Sequence, residues 1–177
     1  MNTSEQYHQP VLEALCAFVR GTRNNTDQGP LTTDIQATLT VIGRRETGTG
    51  GVDLNGVHIP KVRLLDANLS HADLHKANLS GADLSNAKLI GADLGGAVLI
   101  GADLSDADLS GAVLIGAKVV SHADLSNAKL SDADLSDADL SNADLSNAIV
   151  TQSQLNKACS GGGTKLPPGL AVKPCHH

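Results

Sequence analysis

Across residues 52–152, apolar side chains come in pairs two residues apart, and the pairs recur every five residues. Ala72-Asp73-Leu74, Ala82-Asp83-Leu84, Ala102-Asp103-Leu104 and Ala138-Asp139-Leu140 carry the pattern, each followed by Ser and then Gly, Asn or Asp in most units. Apolar–polar–apolar is the period of a half-buried strand, so Ala and Leu share one side while Asp points away. The next two residues turn the corner, since Ser bonds local backbone and Gly, Asn and Asp accept a left-handed conformation. A helix fits poorly: leucines five apart advance about 140° at roughly 100° per residue and spiral round the cylinder without forming a stripe. The prediction is strand, turn, strand, turn. A five-residue unit buries no face of its own, so the units must stack on one another.

The flanks read differently. Across residues 10–20, Val11, Leu12, Leu15, Phe18 and Val19 fall at helical spacing, with Pro10 near the start and Arg20 at the end. Thr33 is read as the cap of a second helix and Gln36 as its capping-box partner; that helix runs to about Ile42 and Gly43 stops it. Residues 21–32 form a polar loop, residues 46–51 a Gly/Thr linker, and residues 151–159 a short helix followed by a Gly- and Pro-rich tail. The chain divides into 1–51, two helices and a linker; 52–152, the repeats; and 153–177, a capping helix and tail. Capping is the expected role of both flanks, because a stacked array exposes strand edges and an open apolar bore at each end.

The repeats resemble the pentapeptide repeat family, and the match recurs about twenty times along the chain. The resemblance implies a mainly β fold, a right-handed quadrilateral parallel β-helix with four repeats to a coil. Central residues such as Leu69, Leu74 and Leu79 fill its interior, and the Ala two positions earlier lines it. About five coils would make a rod roughly 24 Å long. The two helical segments before the repeats are similar to segments preceding the repeats in a subset of bacterial members, often longer and membrane-associated. Three features depart from the family pattern. Val52, Val57 and Val62 replace Ala in the entry coil and read as a plug. The step from Ala117 to Ala123 is six residues, which predicts a bulge. The central position is Leu, Ile or Val and never Phe.

Charge sharpens the picture. Residues 52–152 carry 14 Asp and no Glu against 6 Lys plus Arg, a net of −8, while the whole chain has formal charge −6. Four repeats per coil would align Asp53, Asp73, Asp93 and Asp134 on one face and Asp83, Asp103, Asp124 and Asp144 on another. Three readings of these ladders stand: outward residues that bond local backbone and keep the sheet soluble, mimicry of DNA, and loose counterion binding. Mimicry follows from the resemblance, because some acidic members bind DNA gyrase in place of duplex and protect it from quinolones. The rod here carries about one net charge per 3 Å against about one per 1.7 Å for duplex DNA, and it lacks the Phe-rich interior of those relatives. Direct nucleic-acid binding is not expected of an acidic surface without aromatic stacking residues.

The same winding brings Val98, Ile100, Val113, Ile115 and Val120 outward onto two adjoining faces. They form a candidate interaction patch, covered by the chain's own first fifty residues, by a second copy or by another protein. Cys159 and Cys175 bracket the tail, as a bridge or as the reduced thiols usual in the cytosol, and Cys16 lies on the apolar side of the first helix. His58, His71, His75 and His122 lack metal-ligand spacing and read as surface imidazoles; His176 and His177 are either native or a tag remnant. No catalytic, cofactor-binding or metal-binding set emerges, and a filled bore leaves no deep pocket. With no apolar run of membrane-spanning length and a polar start, the chain reads as cytoplasmic. The expectation is a non-enzymatic protein-interaction scaffold, with an unknown protein or a second copy as partner and a gyrase-binding DNA mimic as the alternative.

Overall fold

In the computed structural model, residues 5–22, 31–44 and 51–175 are described, the side chains of residues 5–8 excepted. The core of the anticipated loop at 21–32, most of the linker at 46–51, and His176 and His177 lie outside the described residues. From 52 onward the chain is a β-helix. Parallel single-residue bridges recur with a 20-residue step, as in Asp53 to Asp73, His58 to Asn78, Arg63 to Asp83 and Asn68 to Lys88, which gives four ladders running along the rod. The first passes through Asp53, Asp73, Asp93, Val113 and Asp134, so the repeats make five coils. Bridges that span the inserted residue step by 21, as in Asp103 to Asp124 and Lys118 to Asp139, and the step returns to 20 from Asp124 to Asp144.

The sides are bridges, not extended strands, because a five-residue side spends two residues on each corner. Within each side, the residue before the central Leu pairs back to the preceding coil and the Leu pairs forward. Asp73 N–H donates to the Val52 carbonyl at 2.8 Å, and Leu54 N–H donates to the Asp73 carbonyl at 2.8 Å. The corner then closes with a bond from the following Ala to the Leu carbonyl, for instance Ala72 N–H to Leu69 O at 3.0 Å. The corner's second residue lies in left-handed backbone throughout, from His71 (φ 58°) and Asn86 (φ 55°) to Asp132 (φ 58°) and Asn147 (φ 59°). That is the geometry of a type II turn. At the bulge two successive residues, Ser121 and His122, take it (φ 56° and 71°), and both N–H groups still reach the next coil, at Ser141 O and Asn142 O. The extra residue therefore widens a corner without breaking the rod.

Ala and Leu fill the bore. Leu69, Leu74, Leu79, Leu84 and Leu89 are fully buried, as are Ala72, Ala77, Ala87 and Ala92. Each such Leu contributes about 1.5–3 kcal/mol of apolar burial. Val52, Val57 and Val62 are buried in the first coil and belong to one continuous core with Cys16, Val19, Ile35, Leu39 and Ile42 of the two helices. Those helices are α1 (Glu5–Thr22) and α2 (Thr33–Gly43). The first coil has no predecessor, so its back-facing groups need partners from elsewhere. Gln36 supplies a surrogate peptide: its Nε2 donates to the Arg63 carbonyl at 2.8 Å and its Oε1 accepts from Arg63 N–H at 2.9 Å. Asn68 N–H donates to Gly43 O at 2.7 Å, and Arg20 donates to Asp53 O at 3.2 Å while pairing with the Asp53 carboxylate. Gly43 permits this closeness, since a Cβ there would stand 2.8 Å from that of Ala67. The helices thus sit against the open end of the rod and not along its side.

Three expectations for these helices need correction. The α2 cap is Thr32, whose side chain makes no capping bond, and Gln36 is engaged with Arg63 and so makes no capping box. The capping box occurs instead at α3 (Gln152–Leu155), between Thr151 and Gln154. Helix α1 begins at Glu5, five residues before its expected start, so Pro10 lies inside it; one proline removes a single helical bond and the remaining turns carry through.

At the far end, Gln154 Nε2 donates to the carbonyls of Leu130 (2.6 Å) and Ala133 (2.9 Å). Two short strands, β1 (Cys159–Ser160) and β2 (Lys173–Pro174), pair in parallel; Cys159 continues the second ladder from Asp139, and Lys165 continues the third from Asp144. Gln152 repeats the surrogate-peptide bond with Ala171, donating to its carbonyl at 2.8 Å and accepting from its N–H at 3.0 Å.

The corner geometry yields a mutational contrast. Asn127→Gly is expected to leave stability nearly unchanged, whereas Asn127→Val should cost about 1–2 kcal/mol in urea unfolding, because a β-branched residue resists left-handed backbone. Leu104→Ala, in the filled bore, should cost about 2–5 kcal/mol in the same measurement.

Candidate functional site

The surface is governed by a local bond repeated along the rod. In each ladder Asp, Oδ1 accepts the N–H of the residue two further on. Examples are Asp73 from His75 (3.0 Å), Asp93 from Gly95 (2.8 Å), Asp124 from Ser126 (2.8 Å) and Asp53 from Asn55 (3.2 Å). Where that residue is Ser its hydroxyl often donates too, at 2.6 Å for Ser85 to Asp83, Ser105 to Asp103 and Ser136 to Asp134. These are Asx turns, and they hold one carboxylate oxygen of each Asp against its own corner.

The winding sets the two acidic ladders differently. Asp83, Asp103, Asp124 and Asp144 follow one another without interruption on the third ladder, bounded by Arg63 at one end and Lys165 at the other. On the first ladder Val113 separates Asp93 from Asp134. The fourth alternates Lys88, Asp108 and Lys129, with Lys129 Nζ 3.4 Å from Asp108. Lys165 lies 2.6 Å from Asp144 and Lys157 lies 3.9 Å from Asp134. The hydrogen bond from Lys165, assisted by those from Ser146, lowers the Asp144 carboxyl to about 2. Hydrogen bonds from Ser136 lower Asp134. Asp108 is raised by burial, yet bonds from Ser110 and Lys129 outweigh this and leave it lowered.

Apolar corners occur where this Asp–Ser pair is missing. Leu65, Ile90, Ile100, Ile115 and Val120 stand two residues after Arg63, Lys88, Val98, Val113 and Lys118, none of them Asp or Asn. With no carboxylate to satisfy, the corner needs no donor. Three of these units meet in the central coils. Val98 pairs with Lys118 on the second ladder, and Ile100 stacks beside Val120, whose carbonyl accepts the Gly101 N–H at 3.1 Å. Val113 lies on the adjoining first ladder and Ile115 on the corner between the two. Ile100 and Ile115 are 41% and 45% exposed, while Val98, Val113 and Val120 are half-buried. Helices α1 and α2 sit at the first coil and leave this patch uncovered.

Of the histidines, His71 and His75 lie over Gly91 and Gly95, where a Cβ would come within 2.8 Å of either ring. His58 is a correction: it is buried, with Nδ1 3.2 Å from Asn78 Nδ2, because the second ladder stacks the two side chains directly. Cys159 and Cys175 are joined by a disulfide, and Cys16 is buried. Sequence reasoning missed the company Cys159 keeps: Asp139 is its ladder neighbour, a relation already contained in the 20-residue step.

These features define a β-helical solenoid with a filled bore and a corner-ordered surface. The sequence profile described as Pentapeptide repeats matches it in 8 copies, over residues 50–86, 77–116 and 121–159. The chain belongs to the pentapeptide repeat family, a family of structural repeat proteins. No curated protein sequence matches it significantly. Among solved structures, it is similar to alr5209, a pentapeptide repeat protein from Nostoc PCC 7120, at 31% identity over 82% of this chain and 93% of that one, with a TM-score of 0.33. Rfr23, from the cyanobacterium Cyanothece 51142, is 28% identical over 68% of this chain and 87% of its own, with a TM-score of 0.46. QnrB1, a plasmid-mediated fluoroquinolone resistance protein, is 22% identical over 66% and 79%, with a TM-score of 0.28. Among the described residues no helix is long and apolar enough to cross a membrane.

The Asp144–Lys165 pair makes a pH prediction with a definite sign. A carboxyl held at about 2 in the folded state and near 3.9 when unfolded adds stability above roughly pH 4, and that stability is lost as pH falls through about 2. Urea midpoints should therefore drop more between roughly pH 5 and pH 2.5 for the natural chain than for Lys165→Met. The difference should shrink in high salt, since the pair is at the surface.

Proposed function

We propose that this chain is a non-enzymatic protein-interaction scaffold whose contact surface is the apolar patch formed by Val98, Ile100, Val113, Ile115 and Val120. One observation carries the reading: outward apolar residues replace the Asp–Ser pair, and five of them converge on two adjoining sides of the central coils. Contiguous exposed apolar side chains on a rigid surface mark contact with another molecule. Lys118 lies inside the patch and Asp93, Asp134 and Asp139 border it, which suits a protein with an apolar centre and a basic rim, or a second copy of the chain. A solenoid bound along its length presents such a surface already ordered, so little entropy is lost on docking.

In this reading the winding is right-handed and quadrilateral, residues 1–51 and 153–177 act as end caps on the array of 52–152, and the protein works in the cytoplasm. Direct nucleic-acid binding is not part of it, because the carboxylates would repel phosphate. A gyrase-binding DNA mimic is the second reading, favoured by the unbroken run of Asp83, Asp103, Asp124 and Asp144. Against it, one oxygen of each carboxylate is held by the corner, and Arg63 and Lys165 bound the run.

Introducing charge into the patch, and a gyrase assay, separate the two. Val98→Glu with Ile115→Glu should abolish capture of a partner, or a dimer seen by sedimentation velocity, while the far-UV spectrum stays unchanged; intact association in that variant would count against the patch. Purified gyrase should supercoil DNA undisturbed by micromolar protein at low salt, and salt-sensitive inhibition would promote mimicry.

A further inference from the structure

We propose that Asp139, Cys159 and Cys175 form a binding site for a thiophilic divalent cation of the zinc class, filled when the disulfide is reduced. The three residues occupy successive layers on one side of the rod's end. Asp139 belongs to the second ladder of the last repeats. Cys159 pairs with it directly, through Leu140 N–H to Cys159 O and Cys159 N–H to Ala138 O, both 2.9 Å. Strand β2 lies beyond Cys159 in register Cys159 to Lys173, and Cys175 follows it, its N–H donating to Ser160 O at 3.2 Å. The backbone pairing of three layers therefore delivers one ligand atom each, and these atoms all lie within 4.8 Å of one another.

The contact itself points to a cation. Asp139 Oδ1 lies 3.6 Å from Cys175 Sγ, and a bridged sulfur carries no proton to share. A carboxylate facing two sulfurs gains nothing from the disulfide and becomes a ligand beside two thiolates. Two thiolates and one carboxylate suit zinc-class ions, which take three protein ligands and leave a fourth tetrahedral position for water; calcium and magnesium require more oxygens than this corner offers. The carboxylate is already oriented, because Oδ1 accepts the Ser141 N–H at 2.9 Å and the Ser141 hydroxyl. Ser141 Oγ in turn accepts the Gly161 N–H, so the loop after β1 is tied to the same group. Such supporting bonds fix a ligand's direction and strengthen metal binding. All three side chains are half-buried, within reach of an ion from solvent.

The chemistry balances in two steps. The S–S bond breaks to give two thiols: a dithiol supplies two electrons and two protons and becomes a disulfide, or a phosphine supplies two electrons and becomes its oxide, with water giving the oxygen and the two protons. The cation then displaces those two protons and binds both thiolates. The disulfide joins two layers, whereas the ion would join three, so the tail stays latched to the rod in either redox state. This site uses none of the apolar residues of the patch, which Asp139 only borders, and it stands or falls without that reading.

The test uses the full chain, reduced by a phosphine and titrated anaerobically with Co²⁺, followed by Zn²⁺ competition. One Co²⁺ per chain with thiolate-to-cobalt charge-transfer absorption is expected, absent from the oxidised protein and from the C159S/C175S variant. Asp139→Asn should weaken Co²⁺ binding about tenfold or more. In the unmutated chain, Zn²⁺ should protect both Cys159 and Cys175 from alkylation, a readout that no folding defect in a variant can confuse. No charge-transfer band in the reduced chain, equal uptake by the double-serine variant, unchanged affinity in Asp139→Asn, or thiols left unprotected by Zn²⁺ would each overturn the proposal.

Discussion

A left-handed residue at every corner is the constraint on which the rest of this molecule depends. The backbone must turn from one ladder to the next every five residues, and the turn that does so has one position with positive φ. Gly fills seven such rod positions between Gly56 and Gly116; elsewhere Asn, Asp, Lys, Ser and His occupy them, and Asn and Asp tolerate this conformation better than other residues with a Cβ. Once the corners are fixed, the three remaining residues of each side have no freedom of register. Two must point inward and one outward, and the inward pair must be small and then large to fill a bore of constant width. Ala and Leu follow from the corner, not the reverse.

The same geometry gives each ladder Asp a bond to its own corner. An Asp two residues before a corner N–H has a bond available that costs no extra ordering, since both groups are already held by the ladder. That bond turns a chemically repetitive surface into one with a second, quieter signal. Where Asp is replaced by Val98 or Val113, the corner loses its acceptor and Ile100 or Ile115 becomes admissible. The apolar surface is therefore a coordinated exchange of two positions at a time. Wherever the Asp is kept the backbone N–H remains its donor, as Asp93 with Gly95 shows, so it is loss of the Asp that distinguishes the apolar corners.

Much of this was legible in the sequence because a strict period leaves few alternatives. The β-helix, the filled bore, the alignment of residues 20 apart and the widened corner after Ala117 all follow from counting. What escaped counting depends on side chains acting outside their usual roles. Gln36 follows Thr33 by three residues and so satisfies the capping-box pattern, yet its amide is the right size to replace a missing peptide group at Arg63, and an unpaired pair of backbone groups in the first coil is the stronger demand. His58 reads as a surface imidazole because the histidines lack metal-ligand spacing, but stacking on Asn78 buries it. The neighbourhood of Cys175 was illegible for another reason: the tail folds back through Pro167, Pro168 and Gly169, outside any period, before it rejoins the ladder.

At the two ends, backbone groups of the first and last coils find partners outside the repeats. Every coil offers the next one a row of donors and acceptors, so an uncovered end is a template for another rod. At both ends a glutamine amide is among the covering groups, beside Gly43 O and Arg20 at the first coil, and it carries the same donor and acceptor as a peptide but cannot propagate the ladder. Gln36 satisfies both backbone groups of Arg63, Gln154 satisfies two carbonyls of the last repeats, and Gln152 holds the returning tail at Ala171. A surrogate peptide of this kind terminates pairing because its far side is a flexible side chain with no further group to offer. The covalent link between Cys159 and Cys175 adds to the hydrogen bonds that hold the returning tail against the last repeats.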